Sequence, residues 1–245
     1  MSRIWELTDY LGHGYLIPAV SAWLLFRRRH DLATAWREST PPASGPWVVL
    51  LAASFEVLAV LGDVIFAAGV GVPLLLLATL WALGGRRLLA PAALPIGFLV
   101  MMVPPPGFVV TRILIHLKFF VTAISVELLR ASGTVVASVG NQILIPGHVL
   151  FVANACTGLT SIVTMLPLAT VIAYFFSHGT WRRIVVVLSV VPLAIAANIL
   201  RIVITVALVN TQGIEVAQGN LHETFGVATF VVGTISLLIL AKVLR

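Results

Sequence analysis

Long apolar runs, broken by short polar segments, make up most of the chain. Their lengths approach the ~20 residues that an α-helix needs to cross a bilayer. They cover residues 11–26, 47–67, 70–84, 88–103, 157–177, 184–203 and 225–243. Because the apolar residues are continuous instead of alternating, the pattern argues against a membrane β-barrel. The pattern predicts an all-α polytopic membrane protein with about 7–8 transmembrane helices.

Residues 108–132 are the least regular of the apolar segments. One helical face carries Arg112, His116, Ala123, Glu127 and Arg130, and the opposite apolar face carries Ile113, Leu117, Phe120, Ile124 and Leu128. Such a two-faced pattern is typical of an amphipathic helix that lies in the membrane interface. The alternative is an ordinary span whose polar side chains face the protein interior.

A segment rich in valine and isoleucine follows at residues 134–155. It has turn signals at Gly140-Asn141 and Pro146-Gly147, between short runs of strand-forming residues. This pattern predicts a short β-hairpin of two strands directly before Cys156.

The composition agrees with a membrane protein and narrows its organisation. Of 245 residues, 60% are hydrophobic and only 10% are charged, against about 25% charged in a soluble domain. No separate soluble domain is visible, so a single integral membrane domain over residues 1–245 is expected. The net charge of +6 comes from Lys and Arg at segment ends, which indicates contact with lipid head groups and not with nucleic acid.

The basic clusters also predict the topology, because Lys and Arg favour the cytoplasmic side. The clusters are Arg27–Arg29, Arg86-Arg87, Arg182-Arg183, and Lys242 with Arg245. If all of them face inward and residues 108–132 lie in the outer interface, the hairpin is extracytoplasmic. Cys156, Arg201 and His222, from three different spans, then all reach the outer face.

Each of these three residues has an ordinary structural explanation. A lone Cys is usually a small buried hydrophobe, and a His at the start of a helix can serve as a cap. An Arg within an apolar run costs about 2.5–3.5 kcal/mol on insertion scales, so it has a partner or a function, unless it extends to the interface. Together, a thiol, a base and a fixed cation are the groups that thiol acyl transfer requires.

Three stretches of the chain resemble the active-site blocks of the exosortase/archaeosortase family: "HVLFVANACTGLTSI", "AANILRI" and "NLHETFGVATF". The segments "GHGYLIPAVSAWLLFRRR" and "LPIGFLVMMVPPP" are also similar to that family, in the same order. The resemblance implies that Cys156, Arg201 and His222 are catalytic. It also implies a membrane cysteine protease or transpeptidase in the cytoplasmic (inner) membrane, with its active site on the extracytoplasmic side.

The resemblance further implies the partners of the protein. The substrates would be exported proteins with a C-terminal sorting tail, made of a short motif such as Pro-Glu-Pro, a hydrophobic helix and a basic cluster. Substrate-binding or supporting roles are expected for Asn198, Asn154, Thr157 and Gly158. Asn154 is a departure, because many members of the family carry an acidic residue there. No metal or cofactor is expected, and the six His residues are scattered without an H-x-x-x-H pair.

Two alternatives remain open at this point. Glu56 and Asp63, seven residues apart in the second apolar run, could share a helix face and serve a small transporter or lipid-handling protein. Within the enzyme hypothesis, His148 in the hairpin is a rival to His222 as the base. His222 is favoured because it begins a helix among the spans, whereas His148 follows Pro146-Gly147 in a turn.

Overall fold

The structure is a computed structural model that describes residues 12–152, 157–213 and 221–244, with residues 221–223 described by their backbone alone. The helices of these ranges are α1 (Leu16–Arg27), α2 (Arg29–Glu38), α3 (Gly45–Leu61), α4 (Ile65–Phe98), α5 (Gly107–Ala131), α6 (Leu159–Phe176), α7 (Thr180–Leu188), α8 (Val190–Gln212) and α9 (Leu221–Val243). Strands β1 (Ala137–Val139), β2 (Gln142–Ile145) and β3 (His148–Phe151) lie between α5 and α6. The chain divides into two compact units, Met1–Pro106 and Gly107–Arg245.

The lengths and hydropathies of the helices are those of a membrane protein. Among the described residues, five helical segments are long and apolar enough to cross a bilayer: Ile65–Met102, Gly107–Ala131, Leu159–Phe176, Thr180–Gln212 and Thr224–Val243. Helix α3 is apolar but shorter. The prediction of a helical polytopic membrane protein is therefore confirmed, whereas the count of 7–8 spans is not.

In the first unit, α4 is bent by a break at Gly85. The φ of 58° and ψ of −151° at this residue belong to a region that only glycine readily adopts. The part of α4 before the break packs on α3 so closely that a Cβ at Gly45 would lie 2.9 Å from the Cα of Ala82. The two helices predicted at 70–84 and 88–103 are thus the two parts of α4.

The second part of α4 packs against α1 through two carbonyl groups, one of which has no helical donor because of a proline. Pro95 has no backbone N–H, so the carbonyl of Pro91 has no helical donor four residues on. Arg28 Nη1 donates to that carbonyl at 2.9 Å, and Ser21 Oγ donates to the Pro95 carbonyl at 2.8 Å. Arg87 Nη1 donates to the Glu38 carbonyl at 2.9 Å. The basic clusters at 27–29 and 86–87 therefore lie near the same break.

In the second unit, α5 packs against α8 with a face that the sequence did not predict. Its buried residues are Val121, Thr122, Ser125, Val126 and Leu129. The predicted apolar stripe is left at or near the surface: Ile113 is 43% exposed, Phe120 51% and Leu128 50%. In a bilayer this is the expected arrangement, because large apolar side chains face lipid while small and hydroxyl-bearing ones pack between helices. With 25 residues, α5 has the length and hydropathy of a span, which agrees with the alternative to an interfacial helix.

The segment between α5 and α6 contains a three-stranded antiparallel sheet, ordered β1-β2-β3, where the sequence predicted two strands. Gly140 and Gly147 occupy its two turns at positive φ, at 63° and 81°, as such tight turns require. One face of the sheet, with Ile143 and Ile145, shares a core with α5 and with the later part of α8. A second core joins α6, α7 and α9.

Candidate functional site

The predicted site residues belong to the start of α6, the middle of α8 and the start of α9, all in the second unit. Cys156 and Asn154 lie outside the described residues. His222 is the second residue of α9, and its side chain is not described. The described members are Thr157, Gly158, Asn198 and Arg201, and their contacts define the geometry.

Arg201 is buried in the middle of α8, with only 7% of its surface exposed. A buried guanidinium in an apolar helix is stable only with polar partners or a functional ion pair. It lies against α9 at Gly226, where a Cβ would be 3.8 Å from Nη1 and 3.9 Å from Nη2. Because glycine has no side chain, α9 packs close to the guanidinium of Arg201.

Asn198 of the same helix packs against the start of α6. It is 1% exposed, and its Nδ2 donates to the Ala194 carbonyl at 2.9 Å. Gly158 packs directly on this amide, since a Cβ at Gly158 would lie only 3.0 Å from Nδ2. The φ of Gly158 is +87°, in the left-handed region. Both the contact and the backbone conformation therefore favour glycine at this position.

Thr157 and Gly158 together begin α6. Thr157 is fully buried, and its Oγ1 accepts a hydrogen bond from the Leu159 N–H at 3.3 Å. The Gly158 carbonyl accepts from the Ile162 N–H at 2.8 Å. These bonds make the first turn of α6 a defined structure. The residue directly before it along the chain is Cys156.

The starts of α6 and α9 thus converge on α8 at neighbouring positions. Asn198, which touches Gly158, and Arg201, which lies beside Gly226, are three residues apart and share one face of α8. Gly226 lies one helical turn after position 222 on α9. The structure therefore brings together the described neighbours of the three predicted catalytic residues. Contact between Cys156, Arg201 and His222 themselves stays a prediction.

The other candidate residues lie elsewhere. His148 is the first residue of β3 and is paired with Ile145 across the second turn. Glu56 is half-buried on α3, with Oε2 against Gly71 of α4. Asp63 does not share its helix face, as the transporter alternative required, because α3 ends at Leu61. Within the described ranges, no group of three or more His, Cys, Asp or Glu side chains is placed to hold a metal ion.

The sequence reasoning missed Gly226. The signal that could have found it is its spacing of four residues from His222, which puts both positions on one face of α9. It also missed Thr122 and Ser125 on α5, which are 1% and 0% exposed. Their hydroxyl oxygens have no hydrogen-bond partner within the described part of the chain.

Comparison with known proteins gives one match. A family described as transmembrane exosortase matches residues 5–239 of the 245, which confirms the resemblance predicted from the three blocks. No curated protein and no solved structure matches the chain.

Proposed function

The chain belongs to the transmembrane exosortase family, and we propose that it is an integral membrane cysteine protease or transpeptidase that cleaves C-terminal sorting tails of exported proteins. The observation that carries this proposal is the convergence of the starts of α6 and α9 on Asn198 and Arg201. Cys156 directly precedes the first of these helices, and His222 belongs to the second.

In the proposed reaction, Cys156 supplies the nucleophile. His222 takes the proton of the thiol, the thiolate attacks the carbonyl carbon of the scissile peptide bond, and a tetrahedral oxyanion forms. Collapse of this intermediate breaks the C–N bond, and His222 gives that proton to the leaving amine. The product is a thioester on Cys156. Water or an acceptor amine then loses a proton to His222 and attacks the thioester. The C–S bond breaks, and His222 returns a proton to the sulfur, which restores the thiol.

Arg201 is proposed to stabilise negative charge during both steps. Its burial gives it a low-dielectric environment, in which a fixed cation acts more strongly on an oxyanion or a thiolate than it would in water. Gly226 lets α9 pack close to the guanidinium. Asn198 packs against Gly158, which helps to fix the position from which the residues before α6 start.

The proposed orientation places the site at the extracytoplasmic face of the cytoplasmic membrane. Arg183 donates to the Ser177 and Tyr174 carbonyls at the end of α6. Helix α6 has 18 residues, so Gly158 lies about 27 Å from that end. If the basic cluster at 182–183 faces the cytoplasm, the start of α6 faces outward.

The test is co-expression with a tail-bearing protein, followed by immunoblotting of the substrate and mass spectrometry of the enzyme. Cys156→Ala and His222→Ala are expected to accumulate uncleaved substrate in the membrane, while the matched variant His148→Ala cleaves it. Cys156→Ser should be nearly inactive, because a hydroxyl is far harder to ionise than a thiol. A thioester adduct on Cys156 is expected in the wild type. Cleavage by Cys156→Ala would contradict the mechanism, and normal cleavage by His222→Ala but not His148→Ala would reassign the base.

A further inference from the structure

Strand β3 forms a free edge of the small sheet. Within the described residues it pairs only with β2. The pair Ile145 and His148 flanks a two-residue turn, so the backbone groups of His148 and Leu150 point toward β2. The Val152 N–H donates to the Asn141 carbonyl at 3.0 Å, so every second residue from His148 to Val152 directs its backbone groups toward β2 or its turn. The backbone N–H and C=O groups of Val149 and Phe151 therefore point out of the sheet.

This edge is short, but it lacks the charges and prolines that usually protect a free strand. Natural edge strands carry charged side chains, prolines or bulges that prevent pairing with another chain. Strand β3, with the sequence HVLF, has no proline and no Lys, Arg, Asp or Glu. Val149 is 49% exposed and Phe151 is 68% exposed. The edge thus presents unpaired backbone groups beside exposed apolar side chains.

The edge is also connected to the site, both along the chain and through the core. Phe151 is five residues before Cys156, a stretch that spans at most ~18 Å when fully extended. The sheet packs in one core with Ile202, the residue after Arg201. A peptide bound along β3 would therefore lie within reach of the proposed nucleophile.

We propose that the free edge of β3 binds the extended cleavage segment of the sorting tail as an added β-strand. This inference rests on the proposed function and names how its substrate is held. Main-chain hydrogen bonds from Val149 and Phe151 would give the affinity, as in other cases of strand addition. In an extended segment with proline at every second position, the backbone groups of the prolines point away from β3. The intervening residue then directs its N–H and C=O groups to β3.

Strand β1, which forms the opposite edge, supplies matched controls. Ala137 and Val149 flank Leu144 in one row across the sheet, and both are exposed. The two positions therefore differ in which edge they occupy, and β1 does not lead to Cys156.

Photocrosslinking tests the proposal on the full chain in membranes. A photoreactive amino acid replaces Val149 or, as the control, Ala137, each in a Cys156→Ala background with a tail-bearing substrate. We expect an adduct with the cleavage segment of the substrate from position 149 and none from position 137. No substrate adduct at 149, equal adducts at both positions, or an adduct with a second copy of this chain would overturn strand addition. Failure of the proposed function is seen separately, as continued cleavage by Cys156→Ala.

A second measurement uses proline as a probe of the outward N–H groups. Val149→Pro removes a donor that points away from β2, and Ser138→Pro removes the corresponding donor on β1. We expect Val149→Pro to slow cleavage by about three- to tenfold, the effect of losing one backbone hydrogen bond, and Ser138→Pro to leave it unchanged. Equal cleavage rates in the two variants, at equal protein levels, would overturn the proposal. If Val149→Pro does not accumulate in the membrane, the photocrosslinking experiment decides.

Discussion

Replacement of Gly158 by alanine tests whether the start of α6 is positioned by Asn198. At a φ of +87°, alanine costs about 1–2 kcal/mol relative to an ordinary conformation. In addition, the new Cβ would lie 3.0 Å from Asn198 Nδ2 and 3.4 Å from the Ala194 carbonyl. The amide is 1% exposed and bonded to that carbonyl, so it has little room to move. The first turn of α6 is therefore expected to shift by a few tenths of an ångström.

Gly179→Ala is the control for backbone strain away from the site. Gly179 has a φ of +85° and a ψ of 148°, a conformation that only glycine readily adopts, and a Cβ there would meet no atom within 4 Å. It precedes α7, at the other end of α6. Gly158→Ala should lose about 1–2 kcal/mol of stability and Gly179→Ala at least as much, but only Gly158→Ala should also disturb the geometry of the site.

The assay compares the rate of substrate cleavage in membranes with the thermal unfolding of the purified proteins in detergent. A misplacement of about 1 Å can cost a hundredfold in rate, so a shift of a few tenths should slow Gly158→Ala by roughly tenfold. Gly179→Ala should cleave at nearly the wild-type rate, although its loss of thermal stability is at least as large. If the two variants cleave equally fast, the contact between Gly158 and Asn198 does not position the nucleophile.

Three further predictions follow from the same geometry. Gly226→Ala should retain activity, because its Cβ would make ordinary contacts with Arg201. Gly226→Val should displace the guanidinium and lose most cleavage, and equal rates in the two variants would show that the space beside Gly226 is not needed. Arg201→Lys should insert stably but lose most activity, because lysine lacks the planar fork of arginine, and near wild-type turnover would show that the fork is dispensable. In a Cys156→Ala background, Ser138→Cys should react with an impermeant maleimide in intact cells, whereas Gly179→Cys should react only after lysis. The reverse result would invert the topology.

The sequence predicted the long helices well because hydropathy alone decides them. Helix α6 was expected at 157–177 and occupies Leu159–Phe176. A boundary near Arg86-Arg87 was also expected, since this charged pair separates the apolar runs 70–84 and 88–103. What the sequence could not predict is that helical structure resumes directly after a single residue, because this depends on the φ and ψ of Gly85.

The packed face of α5 was not predicted, for a physical reason. The sequence separated a polar face from an apolar stripe with Ile113, Leu117 and Phe120, and it placed the stripe in the membrane interface. The stripe does stay at or near the surface. The face that packs carries Thr122 and Ser125, because helices in lipid pack through small and hydroxyl-bearing side chains. Hydropathy does not mark such a face.

At the candidate site, too, some residues can be identified from their type in the sequence, and others only from the packing of the helices. Arg201 could be found from the sequence because a charge in an apolar helix is costly and requires a reason. Gly226 could not, because glycine is common in membrane helices and a missing side chain has no cost of its own. Its importance exists only in the packed structure, where it lets α9 lie against the guanidinium. In the proposed enzyme, the reactive groups are therefore visible in the sequence, whereas the small residues that allow helices to pack beside them become visible only when the helices are assembled.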